Sequence, residues 1–254
     1  MLFDPRPRAI LLDVGFTLTF CDGRSIAAHA AQAGVTVDAR ALEQAEGALR
    51  AELRETLGVV NRTHHDDGGH RWLLRVFRRM LELAGSAAPP AALDQAAAVV
   101  LREHLRRNVW CRVGEGVESS LRRLRAAGCR LAVVSNSEGT VEAMLNDVGL
   151  AAHLDTVVDS AVVGVVKPDP RIFQLALQRL GLTPADAVMV GDSPSADVTG
   201  ARAVGARAAL LDPFDLYPEL DRKLDPLAAA PRFRDLAQFT DAVLGVRPGS
   251  PSQP

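Results

Sequence analysis

The chain has 254 residues, a length that suits one core domain with a sizeable insert. Hydrophobic residues make up 48% of it and the formal net charge is −2 with the two signs interspersed. This excludes a disordered polymer and leaves no electrostatic footprint for nucleic acid or an acidic membrane surface. Three widely spaced cysteines, Cys21, Cys111 and Cys129, give neither a disulfide framework nor zinc-ligand spacing and are expected to be small buried hydrophobes. No stretch approaches the ~20 apolar residues of a membrane span, and the first apolar run is too short for a signal peptide. The expectation is a cytoplasmic protein, monomeric or homodimeric, with no nucleic-acid or membrane partner.

Taken in chain order, Ala9–Leu12 is an apolar run ending in a cluster of Asp, Gly and Thr, which predicts a buried parallel strand running into a loop. Four segments with helical apolar spacing follow: Arg24–Ala33, Asp38–Leu57, His70–Ala84 and Ala92–Arg107. No strand pattern interrupts them. From Gly114 helices and strands alternate: a helix over Gly116–Ala127, a strand over Arg130–Val134, a helix over Thr140–Val148 and a strand over Leu154–Val158. Then come a helix over Pro170–Leu180, a strand over Ala187–Val190, a helix over Ala196–Val204, a strand over Arg207–Leu211 and a last helix over Asp235–Leu244. That alternation predicts an α/β fold with a Rossmann-like parallel sheet. The expected division is a core of residues 1–20 and 111–245, a helical cap domain of residues 21–110, and a disordered tail of 246–254.

In such sheets the working loops lie at the carboxyl ends of the strands, and chemically useful residues end these ones. Asp13 ends the first strand, Ser135 the second and Asp192 the fourth; Lys167 follows the third. Lys167 stands out further, because it is one of only two lysines among 29 basic residues. The set matches the needs of phosphoryl transfer, in which a nucleophile approaches a polyanion and repulsion has to be neutralised. Asp13, Asp192 and a carbonyl of the loop after Asp13 are hard oxygen ligands for Mg²⁺. Lys167 supplies a compact positive charge, and Ser135 with nearby backbone N–H groups offers phosphate contacts.

Four segments carry a resemblance to the haloacid dehalogenase superfamily, a group of aspartyl-nucleophile hydrolases dominated by phosphatases. They are LLDVGFTLT with Asp13, LAVVSNS with Ser135, GVVKPDPRIF with Lys167, and VMVGDSPSADVTGARAVG with Asp192 and Asp197. The match covers the core in the family's order, and the insert stands where one class of members carries a helical cap. The resemblance implies Asp13 as nucleophile with Lys167 beside it, and Mg²⁺ held by Asp13, the Gly15 carbonyl, Asp192 and Asp197. It also implies a phosphate held by Gly15, Phe16, Ser135, Asn136 and Lys167, and a small phosphorylated metabolite as substrate.

The first motif departs from the phosphatase pattern Asp-x-Asp. Gly15 stands where a second Asp usually protonates the leaving group, and Phe16 where Gly usually follows. The metal-binding carbonyl survives this change and the acid does not. General acid catalysis is worth about 10²–10⁴-fold, so alkyl phosphates are expected to be slow unless an acid comes from elsewhere. The cluster His64, His65, Asp66, Asp67, His70 and Arg71 is the most polar part of the insert and a candidate source. Phe20, Cys21 and Asp22 are candidates for a substrate-facing flap. Residues 21–110 contain no lysine, which excludes the Schiff-base chemistry of the family's phosphonate hydrolases. The alternative to a phosphatase is a phosphate-ligand-binding or regulatory protein on the same fold, with little turnover.

Overall fold

A computed structural model describes residues 2–54, 70–218 and 230–246. The chain divides into two compact units, Met1–Leu18 with Val113–Pro254, and Thr19–Arg112.

The first unit is built on a sheet that begins with β1 (Ala9–Leu12). Two short strands, β2 (Thr19–Phe20) and β3 (Arg112–Val113), pair as a separate ribbon. The main sheet continues with β4 (Arg130–Ser135), β5 (Thr156–Asp159), β6 (Ala187–Gly191), β7 (Arg207–Leu211) and β8 (Arg232–Phe233). Its order is β5-β4-β1-β6-β7-β8 and every neighbouring pair is parallel. β1 is central and aligned with both neighbours, Leu12 lying opposite Val133 and Val190. AILL and AVMVG are buried at every position, which is why they read as unbroken apolar runs and not as alternating ones.

The chain leaves β1 to one side through β4 and β5, then returns to its other side through β6 and β7. This reversal of strand order opens the crevice beyond the strand ends in which such sheets bind ligands. One face of the sheet packs on α8 (Pro170–Leu180), whose Ile172, Phe173, Ala176 and Leu177 meet Leu11, Val134 and Met189 in one core. Asp169 caps that helix through the Arg171 N–H, and Gly181 in the left-handed conformation ends it. Elsewhere in the unit are α5 (Val117–Ala126), α6 (Val141–Asp147), α7 (Ser160–Val163), α9 (Gly200–Ala203) and α10 (Leu236–Leu244).

Besides the short strands β2 and β3 and the single turn of α7, two features near the sheet's carboxyl edge differ from the sequence reading. The helix expected over Ala196–Val204 is a π-helical turn, Pro194–Thr199, followed by the single turn of α9. Such wide turns are frequent at functional sites, and Asp197 within this one is buried. β8 was not expected: it is two residues long and extends the sheet by pairing Arg232 and Phe233 with Leu210 and Leu211.

The second unit contains α1 (Gly23–Ala31), α2 (Ala39–Arg54), α3 (His70–Leu83) and α4 (Pro90–His104). They share an apolar core that includes Ile26, Leu42, Leu49, Phe77, Met80 and Val100, with Trp72 packed partly buried against it. Glu46 is buried inside this unit, accepting the Cys21 N–H at 2.7 Å. The arginine run of α3 is tied down on the surface, Arg78 to Glu82 and Asp94, and Arg79 to Glu52 and Glu82. Cys21 and Cys129 are buried and Cys111 is partly so. Among the described residues, no helix is long and apolar enough to cross a membrane.

Candidate active site

β1 delivers Asp13 to the middle of the sheet's carboxyl edge, where its N–H donates to Val190 O at 3.0 Å. Asp192 follows β6 next door, and the π turn brings Asp197 back toward both. One carboxylate oxygen from each of Asp13, Asp192 and Asp197 lies within 4.8 Å of the other two, and all three residues are buried. Lys167 is 2% exposed and donates from Nζ to Asp13 Oδ1 at 2.5 Å and to Asp197 Oδ1 at 2.7 Å. Asp197 is held from its other oxygen by the Ser193 N–H at 2.9 Å.

Gly191 makes this convergence sterically possible. A Cβ there would sit 2.3 Å from Asp197 Oδ2 and 3.0 Å from Asp13 Cβ, so any larger residue would push the carboxylates apart.

The electrostatics follow from three carboxylates facing one ammonium. Burial raises the Asp13 carboxyl to about 7; Lys167 opposes that rise, while Asp197 and Asp192 add to it. Burial works against the Lys167 ammonium too, but Asp13 and Asp197 outweigh it and hold the lysine's pKa above its ordinary value. An isolated ion pair would have lowered its acid as well as raised its base. Here the acid rises, because burial outweighs the attraction of Lys167 and the two neighbouring carboxylates add to it. A cluster of hard carboxylate oxygens with surplus negative charge fits a divalent cation of the Mg²⁺ type.

The other expected residues are placed as follows. Ser135 ends β4, buried, opposite Asp159 of β5. The Asn136 side chain brackets the Lys167 peptide: its Oδ1 accepts the Lys167 N–H at 2.7 Å and its Nδ2 donates to the Lys167 carbonyl at 3.0 Å. Gly15 and Phe16 lie in the turn after Asp13. Of the flap candidates, Cys21 is buried in the second unit, Asp22 caps α1, and the Phe20 ring lies under the Arg112 guanidinium at 5.4 Å. His64, His65, Asp66 and Asp67 lie outside the described residues, as does the His70 side chain.

Three contributors, Asp159, Ser160 and Phe214, have no signal in the sequence reading. Asp159 accepts the Ser137 hydroxyl at 2.6 Å and the Ala161 N–H at 3.0 Å, and Ser160 Oγ accepts the Ser137 N–H at 3.0 Å, which fixes the loop carrying Asn136. Phe214, in the loop after β7, meets the Phe16 ring edge-on with centroids 5.9 Å apart. An Asp at a strand end reads as a turn residue, and a lone Phe in a loop carries no signal of its own.

A carboxylate held by a buried ammonium at the switch point of a parallel sheet, with two further carboxylates beside it, places a charged cluster where α/β enzymes of this kind carry their active sites. The model of the haloacid dehalogenase-like hydrolases matches residues 7–205, and the chain belongs to that family of hydrolases. It is 33% identical over 234 residues to human "haloacid dehalogenase-like hydrolase domain-containing protein 3", covering 89% of this chain and 90% of that one. It is 31% identical over 249 residues to a ribulose-1,5-bisphosphate 5-phosphatase of Halopiger xanaduensis, covering 92% of this chain and 98% of the relative. Among solved structures, the HAD-hydrolase YfnB of Bacillus subtilis, described as bound to magnesium, shares the fold with a TM-score of 0.58 at 20% identity, covering 94% of this chain and 99% of that one.

Proposed function

We propose that this hydrolase is a Mg²⁺-dependent phosphatase acting on a small phosphorylated metabolite, with Asp13 as nucleophile. The observation that carries the reading is the Lys167 ammonium placed 2.5 Å from Asp13 inside a cluster of three buried carboxylates. A phosphatase among the relatives supports it. Asp13, the Gly15 carbonyl and Asp192 would hold the ion, with Asp197 in support. When bound, Mg²⁺ supplies Lewis-acid neutralisation of phosphate charge.

The protein's own groups perform the remaining tasks. Lys167 favours the ionised form of Asp13 against the effect of burial, orients it, and offers positive charge to a phosphate approaching the same face. Ser135, with the backbone N–H groups of Asn136 and Phe16, is suited to hold phosphate oxygens, while the Asn136 side chain holds Lys167 in place. A carboxylate oxygen of Asp13 forms a bond to phosphorus as the ester oxygen departs. Water then attacks the phosphorus of the aspartyl phosphate, and the products are free Asp13, inorganic phosphate and a proton.

The test is a Mg²⁺-dependent assay on p-nitrophenyl phosphate. Asp13→Asn should abolish turnover, and Asp192→Asn should greatly weaken Mg²⁺ binding by calorimetry. Wild-type activity in Asp13→Asn would exclude this nucleophile. A wild type that binds phosphate but turns over no ester would favour a binding or regulatory role, which the lack of an acid at Gly15 makes a concrete alternative.

A further inference from the structure

The turn after Asp13 has a feature that phosphate chemistry does not require. It is tight, with the Thr17 and Leu18 N–H groups both donating to the Val14 carbonyl at 3.3 and 2.8 Å. Within it Phe16 has φ of 57°, a left-handed conformation that a bulky residue enters only at an energetic cost. The cost places an aromatic ring, partly exposed, beside the nucleophile's turn and edge-on against Phe214 at 75°.

Phe214 is in turn a wall of a cleft of about 570 Å³, lined also by Phe233, Asp212, Asp215, Arg232 and Arg234. Asp212 follows β7 directly and Phe233 ends β8, so the cleft opens on the same carboxyl edge of the sheet as Asp13 and Asp192. Its charges are balanced. Arg232 is paired with Asp212 at 2.9 Å and with Asp215 at 2.6 Å, and the two arginines of the lining match its two aspartates. Charged and polar groups dominate this lining, Gln238 among them, but with no net positive charge it offers little to a second phosphate; the flat apolar surface on offer beside the turn is that of the Phe16 and Phe214 rings.

Gly15 restricts the same group from a different direction. It carries no acid, so this position gives the departing oxygen no proton and favours one that leaves as a stable anion. Space is not the reason for the acid's absence, since a Cβ at Gly15 would meet nothing within 4 Å.

We infer that the substrates are aryl phosphate monoesters, with the ring received by Phe16, Phe214 and the cleft behind them. This rests on the phosphatase reading and narrows it. As the Asp13 oxygen bonds to phosphorus, the P–O(aryl) bond breaks and the phenolate leaves with the electron pair, taking a proton from water afterwards. No side chain is needed to protonate it.

The test compares wild type, Phe214→Leu, Phe214→Tyr and Gly15→Asp, with Mg²⁺, on phenyl, cyclohexyl and acetyl phosphate. Wild type should favour phenyl over cyclohexyl phosphate by at least about 10²-fold in kcat/KM, the lower bound for a missing general acid. Gly15→Asp should narrow that gap. Phe214→Leu should lower the phenyl-to-acetyl ratio of kcat/KM about tenfold through a raised KM for the aryl ester, in keeping with the worth of an aromatic contact, and Phe214→Tyr should restore it. Independently of any variant, phenol should inhibit wild-type hydrolysis of acetyl phosphate more strongly than cyclohexanol does. An unchanged phenyl-to-acetyl ratio in a folded Phe214→Leu protein would overturn the inference, as would equal inhibition by the two alcohols or cyclohexyl phosphate matching phenyl phosphate. Turnover of none of the three esters by wild type is a distinct result, and refutes the phosphatase reading itself.

Discussion

Glu46 allows a quantitative prediction away from the active site. Its carboxyl is 1% exposed within the helical unit, and burial raises its pKa from 4.5 to about 7 against the opposing effects of the Cys21 N–H and Arg112. At about 1.4 kcal/mol for each tenfold change in proton affinity, that rise corresponds to about 3 kcal/mol. The sign follows from proton linkage. Between 4.5 and 7 the folded protein binds more protons at this site than the unfolded chain, so the contribution is fully present below pH 4.5 and is lost as pH rises through 7. Glu46→Gln removes the titration while keeping an oxygen to accept the Cys21 N–H. It also gives up the attraction of Arg112, which is 3.6 Å away but 41% exposed and therefore screened. Thermal melts of the two proteins from pH 4.5 to 8 should diverge, with the variant gaining on wild type by about 6–12 °C across the range, at roughly 2–4 °C per kcal/mol for a chain of this size. Groups common to both cancel in the difference. Parallel curves, or a variant that loses ground as pH rises, would refute the argument that desolvation dominates at this carboxylate.

Gly191→Ala should destabilise the protein by about 1–3 kcal/mol, the usual cost of overpacking, because Asp197 is pinned by Lys167 and Ser193 and has little room to retreat. A melt would register the loss, and phosphatase activity should fall with it; an unaffected variant would show that Asp197 gives way freely. Asn136→Ala strands both polar groups of the Lys167 peptide, so kcat should fall while Asn136→Asp, which keeps the acceptor for the Lys167 N–H, retains more of it. Equal kinetics for the two variants would deny Asn136 a positioning role.

Much of this architecture could be read from the chain alone, for identifiable reasons. β1, β4 and β6 are buried on both faces, and burial on both faces leaves a continuous apolar run. Lys167 was conspicuous because lysine is so rare here. Asp13, Asp192 and Asp197 were found by the order of four motifs, not by any property of a lone carboxylate. The two-residue strands were hidden because two residues cannot display a period. The π turn was read as a helix because it is followed by a helical turn and shares that turn's apolar spacing. Asn136 was expected to face phosphate, and only the tertiary fold shows its amide turned onto the backbone of a residue thirty-one positions away. Phe214 acquires meaning only through the ring it touches.

The position of β1 also has a consequence for how the protein is made. The strand at the centre of the sheet is synthesised first, yet its partner in β4 lies roughly 120 residues later and its partner in β6 later still. Emerging from a ribosome, a fully apolar strand has to wait for both. The intervening helical unit has its own core, and its completion brings the flanking chain together, as the Leu18 carbonyl and Gly114 N–H mark at 3.0 Å. The span to be closed between β1 and β4 then shrinks from roughly 120 residues to about 25, a little over two halvings, which lowers the entropic cost of pairing by about 1.4 kcal/mol. An insert that completes its own core first would thereby act as a clasp for the nascent sheet and shorten the interval in which the central strand is exposed to aggregation.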